Sequence, residues 1–220
     1  MKIINFFILF LFVNIAFSQT DTIKAGFIEY SKDFKFNDGI YLNFEQVKNN
    51  DAIPKNRIVS IYDINDFDFF KNTLDNENLF FYNETGIKQE VEISDIWGYA
   101  HNGVLYINWN DDFSRIVVVG GICHFVANKV VSNYSYNPYN SYYYDPYSSP
   151  NSTSVELRQY LIHFETGTIY DYTYKNLEII LMNDPELYDE YHNLSKRKRK
   201  KLKFVYIRKF NKKNPIFIKK

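Results

Sequence analysis

The segment DIWGYAHNGVLYINW (residues 95–109) restricts the fold more than any other part of the chain. Its Asn102-Gly103 pair is the strongest short sequence signal for a β-hairpin, because a type I′ turn needs positive φ at both central residues. A turn at this pair places Tyr99 opposite Tyr106 on the neighbouring strand. We therefore expect two antiparallel strands, one on each side of the turn.

The two faces of this hairpin differ, since opposed residues lie on the same side of a sheet. The apolar face, which we expect in the core, consists of Ile96, Gly98, Ala100, Leu105, Ile107 and Trp109. The other face consists of Trp97, Tyr99, His101, Val104, Tyr106 and Asn108. Aromatic rings with polar tips suit either a binding surface or a second core layer, which we favour because central strands are usually covered on both sides. The candidate binding residues, which would suit a glycan or a partner, are Trp97, Tyr99, His101 and Tyr106.

Most of the remaining middle of the chain consists of short runs of β-forming residues separated by turn residues. Two Glu-Thr-Gly tripeptides (84–86 and 165–167) are each flanked by such runs, and a glycine there suits the left-handed position of a hairpin loop. Residues 115–127 are apolar on both faces, as in a central strand. The sequence predicts an α+β fold, mainly antiparallel β, in which hairpins form a sandwich- or barrel-like assembly with short helices.

A C-terminal helical segment (184–220) is predicted to pack on this β-rich domain (19–183). Asp184-Pro185-Glu186 has a capping residue, a proline and an early acid, as at a helix start. An apolar stripe indicates one basic amphipathic helix and consists of Leu187, Tyr191, Leu194, Leu202 and Val205. Residues 204–207 are apolar on every side, so the pattern leaves open whether 204–210 is helix or strand.

The N-terminus has the composition of a secretory signal. Lys2 precedes an apolar run over residues 3–17, and small Ala16 and Ser18 occupy the positions that signal peptidase reads. The run is shorter than the roughly 20 apolar residues of a membrane-spanning helix, and polar residues follow at once. We expect cleavage after Ser18 and export to the periplasm or the cell surface, with no integral membrane segment in the mature protein.

Charge is distributed unevenly along the chain. Residues 19–192 contain 26 acids against 12 lysines and arginines, whereas residues 193–220 contain 13 lysines and arginines and no acid. Such asymmetry indicates an interacting segment. Its densest part is Lys196, Arg197, Lys198, Arg199, Lys200 and Lys201. We favour docking of this run on the protein's own acidic body, with contact to anionic lipid headgroups of the cell envelope as the alternative. Nucleic acid is not expected as a partner of an exported protein.

No catalytic, metal-binding or cofactor motif is found. The single cysteine, Cys123, excludes an intrachain disulfide. It also points away from His124, because neighbouring residues of a strand face opposite sides. His101, His163 and His192 have no signature of a nucleophile or metal site around them. The sequence thus favours a non-enzymatic binding or envelope-structural module, with a hydrolase-type enzyme using an unrecognised carboxylate or histidine site as the alternative.

A tyrosine-rich segment is predicted to be a mobile surface loop over residues 133–154. It contains one charge, Asp145, and no aliphatic residue, and Pro138, Pro146 and Pro150 disfavour both helix and paired strand. A recognition loop is the alternative, because tyrosine gives a large contact area at low entropy cost.

Three segments resemble an uncharacterised family of small exported bacterial proteins. They are DGIYLNFEQVKNN (38–50), IWGYAHNGVLYINW (96–109) and the region 184–215, which runs from DPELYDEYHNLSKRKRKK to FVYIRKFNKKNP. The resemblance implies export and a β-rich fold, and it assigns no chemistry or functional residue.

Export predicts that the mature protein isolated from its native cells begins at Gln19. Intact-mass spectrometry of the native protein measures this directly. A mass that includes Met1, or recovery of the protein from the cytosol, would contradict export.

Overall fold

The computed structural model describes the backbone of residues 26–134 and 151–220, and the side chains of 26–131 and 153–220. The strands are β1 (Phe27–Glu29), β2 (Gly39–Tyr41), β3 (Ile58–Val59), β4 (Asn78–Tyr82), β5 (Lys88–Glu92), β6 (Gly98–His101), β7 (Val104–Trp109), β8 (Asp112–Val118), β9 (Ile122–Tyr134), β10 (Asn151–His163), β11 (Thr168–Asp171) and β12 (Phe217–Lys219). The helices are α1 (Phe44–Lys48), α2 (Phe69–Thr73), α3 (Tyr174–Leu181), α4 (Pro185–His192) and α5 (Lys196–Lys213). The predicted signal segment lies outside these residues.

One seven-stranded antiparallel sheet organises the fold, in the order β11-β10-β9-β8-β7-β6-β2. It curls into a half-barrel, so the predicted α+β fold, mainly antiparallel β, is confirmed. A small sheet, β3-β4-β5, and a pair formed by β1 and β12 complete the strands. The β1–β12 pair joins the two ends of the described chain, and the sequence analysis did not predict it.

The Asn102-Gly103 hairpin forms in the predicted register. Tyr99 lies opposite Tyr106, and φ is 53° at Asn102 and 75° at Gly103. The carboxylate of Asp38 fixes the turn, because it accepts hydrogen bonds from the backbone N–H groups of Asn102 (3.0 Å) and Gly103 (2.9 Å). The two Glu-Thr-Gly hairpins also form, with their glycines at positive φ.

The predicted faces of the hairpin are right from β6 onward and wrong before it. Ile96 packs in the outer cluster and Trp97 packs against the inner core, the reverse of the prediction. Strand alternation begins only at Gly98, because a 3-10 turn (Ile93–Asp95) precedes it. The N–H of Trp97 donates to the carbonyls of both Tyr41 (3.0 Å) and Leu42 (3.2 Å), which replaces a regular ladder.

The curled sheet is covered on its inner face and, in part, on its outer face, where Val117 and Leu157 remain exposed. Its inner face packs around Leu105, Phe125 and Ile162, with α1 and the β1–β12 pair closing the open side. The outer face is covered in two places. The small sheet and α2 cover β2 and β6 through a cluster that includes Ile40 and Phe70, whereas α3, α4 and α5 cover β9 and β10.

The C-terminal segment is two helices rather than the one that was predicted. Asp184 caps α4 by accepting from the N–H of Leu187 (3.2 Å), with Pro185 in the first turn. Ser195 then caps α5, which separates the two helices and lets both pack on the same apolar cluster. The open question about 204–210 is answered, because α5 runs through these residues.

The β9–β10 ladder extends further than predicted. Tyr134 pairs with Asn151, so the boundaries 133 and 154 that were predicted for a loop lie within paired strands. The tyrosine-rich residues 135–150 lie outside the described residues.

Candidate functional site

A groove of about 1100 Å³ opens between residues 67–78, which include α2, and the outer face of β6, β7 and β8. We call it the aromatic groove, because its floor and one wall carry aromatic rings. The rings that line it are Phe67, Phe70, Tyr99, Tyr106 and Phe113. It contains three of the four predicted binding residues.

Tyr99 packs as part of the floor, with both ring faces covered. Phe70 stacks on one face (5.0 Å between ring centroids, 23°) and Tyr106 stacks on the other (4.8 Å, 6°). The edge of Phe113 completes the contact at 5.3 Å. Burial, with smaller contributions from Tyr106 and Asp112, raises the pKa of the Tyr99 hydroxyl to about 12. Because both faces of its ring are covered, Tyr99 cannot stack against a ligand. It packs instead as part of a second core layer, the interpretation that the sequence favoured for this face of the hairpin.

His101 closes one end of the groove and is held by packing. Its ring contacts Phe67 (5.4 Å) and Phe70 (5.8 Å) edge to face. The side-chain amide of Asn102 donates to Nε2 at 3.1 Å, which leaves the ring proton on Nδ1. That Nδ1 is buried without a hydrogen-bond partner, and the nearest carboxylate oxygen, on Asp38, is 4.0 Å away and already caps the turn.

Trp97 does not join the other predicted binding residues. It lies against the inner side of the sheet, where its ring contacts Phe44 at 5.7 Å, and Phe44 in turn contacts Phe164. The predicted face of Trp97, Tyr99, His101 and Tyr106 therefore does not assemble as a unit. The physical reason is the irregular backbone before Gly98. The alternation of polar and apolar residues in the sequence does not indicate this irregularity.

The rim of the aromatic groove is strongly acidic. Six carboxylates line it against a single ammonium group, that of Lys71: Asp68, Asp75, Glu77, Glu92, Asp111 and Asp112. Within the described residues none of the six is in an ion pair. They are spread along the rim, since residues 26–134 and 151–220 contain no group of three or more His, Cys, Asp or Glu that could hold a metal ion.

Among the residues that the structure describes, Arg199 is the one member of the predicted basic run whose side chain docks on the protein body. Its guanidinium donates to both carboxylate oxygens of Glu178 (2.9 and 2.7 Å) and lies over the ring of Tyr174. Both charged side chains are largely buried, with 19% of Arg199 and 13% of Glu178 exposed. Self-docking, the favoured prediction, is thus seen for Arg199, whereas the other five residues have no ion pair or side-chain hydrogen bond within the described residues.

The other ion pairs of α5 come from its C-terminal half, which clamps α4. Lys213 contacts Asp184 and Glu186, both at 2.7 Å. Burial alone would raise the pKa of Asp184, but hydrogen bonds from Lys213 and Asn214 hold it below its ordinary value. Ion pairs therefore form in both halves of α5, and the density of basic residues along the sequence does not show which of them face an acid.

The solvent side of α5 carries a continuous set of unpaired cations, which we call the cationic face. Its members are exposed and lie within about 100° of one another around the helix axis: Arg197, Lys198, Lys201, Arg208 and Lys212. None has an ion pair or side-chain hydrogen bond within the described residues. Phe204, 38% exposed, lies at the edge of this face. Lys196 and Lys200 flank this face and are also exposed.

Arg208 and Lys212 were missed by the sequence analysis, which read the basic residues as a run rather than as a helix face. A spacing of about 3.6 residues per turn, applied from Arg197 onward, would have found both. Arg197 and Arg208 are about 16 Å apart along the axis at 1.5 Å per residue.

The His192 side chain is 56% exposed beside Glu178, whereas Cys123, His124 and His163 are buried. Cys123 and His124 face opposite sides of β9, as predicted. Burial raises the pKa of the Cys123 thiol to about 12, and its Sγ–H lies 3.3 Å from the carbonyl of Gly120. Burial also lowers the pKa of His124 and of His163. Near neutral pH the buried groups are a neutral thiol and neutral imidazoles.

Comparison with protein-family models, with curated proteins and with solved structures finds no match for this chain. The resemblance to a family of small exported bacterial proteins therefore stays a prediction. Among the described residues, no helix is both long enough and apolar enough to cross a membrane.

The stacking of Tyr99 predicts that Tyr99→Ala lowers the free energy of unfolding by about 3 kcal/mol, the usual cost of removing a buried aromatic ring. Phe67→Ala is the control, because Phe67 lines the same groove but is 75% exposed. Its expected cost is below about 0.5 kcal/mol. Urea unfolding followed by tryptophan fluorescence measures both. Equal costs for the two variants would contradict the packing role of Tyr99.

Proposed function

We propose that this protein is an exported, non-enzymatic binding module of a bacterial cell envelope, which attaches to a phosphate-rich anionic surface through the cationic face of α5. One observation carries the proposal. Five cations lie exposed on one side of a helix, and no acid of the described residues pairs with them.

The clustered positive charges of α5 repel one another, and an anion bound from outside the molecule would reduce this repulsion. The first turns of α5 contain Lys196, Arg197 and Lys198 and no acid. The N-terminus of a helix already carries about half a positive charge, so cations there are repelled by the helix as well as by each other. An anionic surface would relieve both repulsions. Each basic residue near such a surface contributes about 1 kcal/mol of attraction.

The helix presents its cations on a rigid support. Tyr206, Ile207 and Phe210 are buried on its opposite side, and Arg199 and Lys213 pair with acids near its two ends. The cationic face therefore keeps its spacing without help from a ligand. Phe204, at the edge of this face, packs on His124 and Tyr172 and leaves 38% of its side chain exposed. Stable attachment to a membrane surface usually needs an apolar contact in addition to charge.

The predicted export supports an anionic envelope surface as the partner. Lipid headgroups and envelope polymers both supply phosphate there, whereas nucleic acid is not expected. A glycan partner has less support, because both faces of the Tyr99 ring are covered and Trp97 lies on the other side of the sheet. The buried, neutral states of Cys123 and His124 support the non-enzymatic reading.

The test replaces Arg197, Lys201, Arg208 and Lys212 with Gln. Binding to vesicles that contain about 30% phosphatidylglycerol is expected to weaken several hundredfold, since about 1 kcal/mol is lost for each of the four cations and every 1.4 kcal/mol is tenfold. The free energy of unfolding should stay within about 1 kcal/mol of the parent, because the four side chains are exposed and unpaired. Vesicle co-sedimentation and urea unfolding measure the two quantities.

Two controls separate the cationic face from charge in general. Replacing Lys32, Lys35, Arg115 and Lys129 with Gln makes the same change in net charge on exposed residues elsewhere, and vesicle binding should be nearly unchanged. Arg199→Gln should instead lower stability, by about 1–3 kcal/mol, and leave vesicle binding intact. Equal loss of binding in the first control and in the α5 variant would contradict the proposal.

A further inference from the structure

We propose that the aromatic groove binds a polycationic chain, namely an extended segment of basic polypeptide, through ion pairs at its rim and ring contacts at its floor. This inference does not rest on the function proposed for α5. It concerns a different surface, over the β2–β8 half of the sheet, whereas α5 packs over β9 and β10.

The negative charge of the rim favours a positively charged ligand. Six carboxylates face a single ammonium group, and no cation of the described residues pairs with any of them. An anionic ligand would be repelled from the groove. A neutral ligand would leave all six without an ion pair, although Asp112 and Glu92 accept hydrogen bonds within the protein. A cation in the groove gains attraction from several carboxylates at once, and water is partly excluded there by the two walls.

The aromatic rings in the floor of the groove favour a cation that can also pack against an aromatic ring. Phe67 is 75% exposed at the mouth, and Tyr106 and Phe113 are half-buried in the floor. Ammonium and guanidinium groups are attracted to ring faces within about 6 Å. Helix α2 makes a contact of this kind outside the groove, since the ammonium of Lys55 lies 5.0 Å from the ring centre of Phe70 and 5.2 Å from that of Phe69.

The volume of the groove and the distribution of its carboxylates favour an extended ligand. Small-molecule pockets usually enclose about 300–1,000 Å³, whereas this groove has a volume of about 1100 Å³. Its carboxylates come from the segments on either side of α2, from β5, and from the β7–β8 turn and the start of β8. They are too dispersed to chelate a metal ion among the described residues. A chain with several lysine or arginine side chains can reach carboxylates on both walls.

The experiment uses acetylated, amidated hexa-arginine and isothermal titration calorimetry on the full protein. One peptide is expected to bind per protein, and hexaglutamate is expected not to bind. Glu77→Gln together with Glu92→Gln removes two exposed rim carboxylates and should weaken peptide binding about tenfold. Glu84→Gln together with Glu90→Gln is the matched control on the same small sheet, outside the groove, and should change binding less than twofold.

Two further arms test the floor and the kind of ligand. Phe67→Ala, at an exposed position, should weaken hexa-arginine binding about threefold without loss of the folded circular-dichroism spectrum. Spermine should bind at least tenfold more weakly than hexa-arginine, because it lacks the length and the side chains to reach both walls. Spermine binding as tight as that of the peptide would overturn the assignment to polypeptide.

Failure of this inference is distinguishable from failure of the function proposed for α5. The rim variants should leave vesicle binding unchanged, and the four-residue α5 variant should leave hexa-arginine binding unchanged. The groove proposal is overturned if hexa-arginine does not bind, or if the rim pair and the control pair weaken it equally.

Discussion

The central curled sheet has apolar residues on both faces, and the need to cover both faces determines where the other elements of this protein pack. Strands such as β6 and β9 are apolar on both faces, so the inner face closes on a core around Phe125 and the outer face must also be covered. The chain covers that outer face with two separate layers, the small sheet with α2 at one end and the helices α3, α4 and α5 at the other. The aromatic groove opens beside the first layer, and the second layer holds the cationic face outward. Both candidate surfaces are thus consequences of how the sheet is covered.

The parts of the fold that depend on neighbouring residues were predictable from the sequence. Asn102-Gly103 set the register of its hairpin, because turn geometry is decided by the two residues that adopt positive φ. The reversal of Ile96 and Trp97 was not predictable, since it depends on a backbone irregularity that forms only when β2 is already in place. Gly98 marks the position, because a side chain there would meet the carbonyl oxygen of Tyr106 at 2.0 Å. The pairing of β1 with β12 likewise joins segments nearly 190 residues apart and has no local signal.

The sequence predicted that the C-terminal segment is basic, but it did not predict which residues form either candidate surface. The sequence indicated a basic C-terminal segment, yet Arg199 faces inward to Glu178 while Arg208, outside the basic run, faces solvent. Which cation is paired depends on acids brought close by α3 and α4, and this is a property of packing. The acidic rim was not indicated, because its carboxylates come from segments up to 44 positions apart, such as Asp68 and Asp112, that only the fold brings together.

The most direct test of the central claim is to ask which surface meets an anionic membrane. A polarity-sensitive dye can be attached after Arg208→Cys, or after Glu84→Cys as the control, because Cys123 is buried with a raised pKa and stays unlabelled in the folded protein. With phosphatidylglycerol vesicles, the account predicts a blue shift of the dye emission at position 208, within the cationic face, and none at position 84. No shift at position 208, or an equal shift at both positions, would contradict the assignment of the cationic face as the envelope-binding surface.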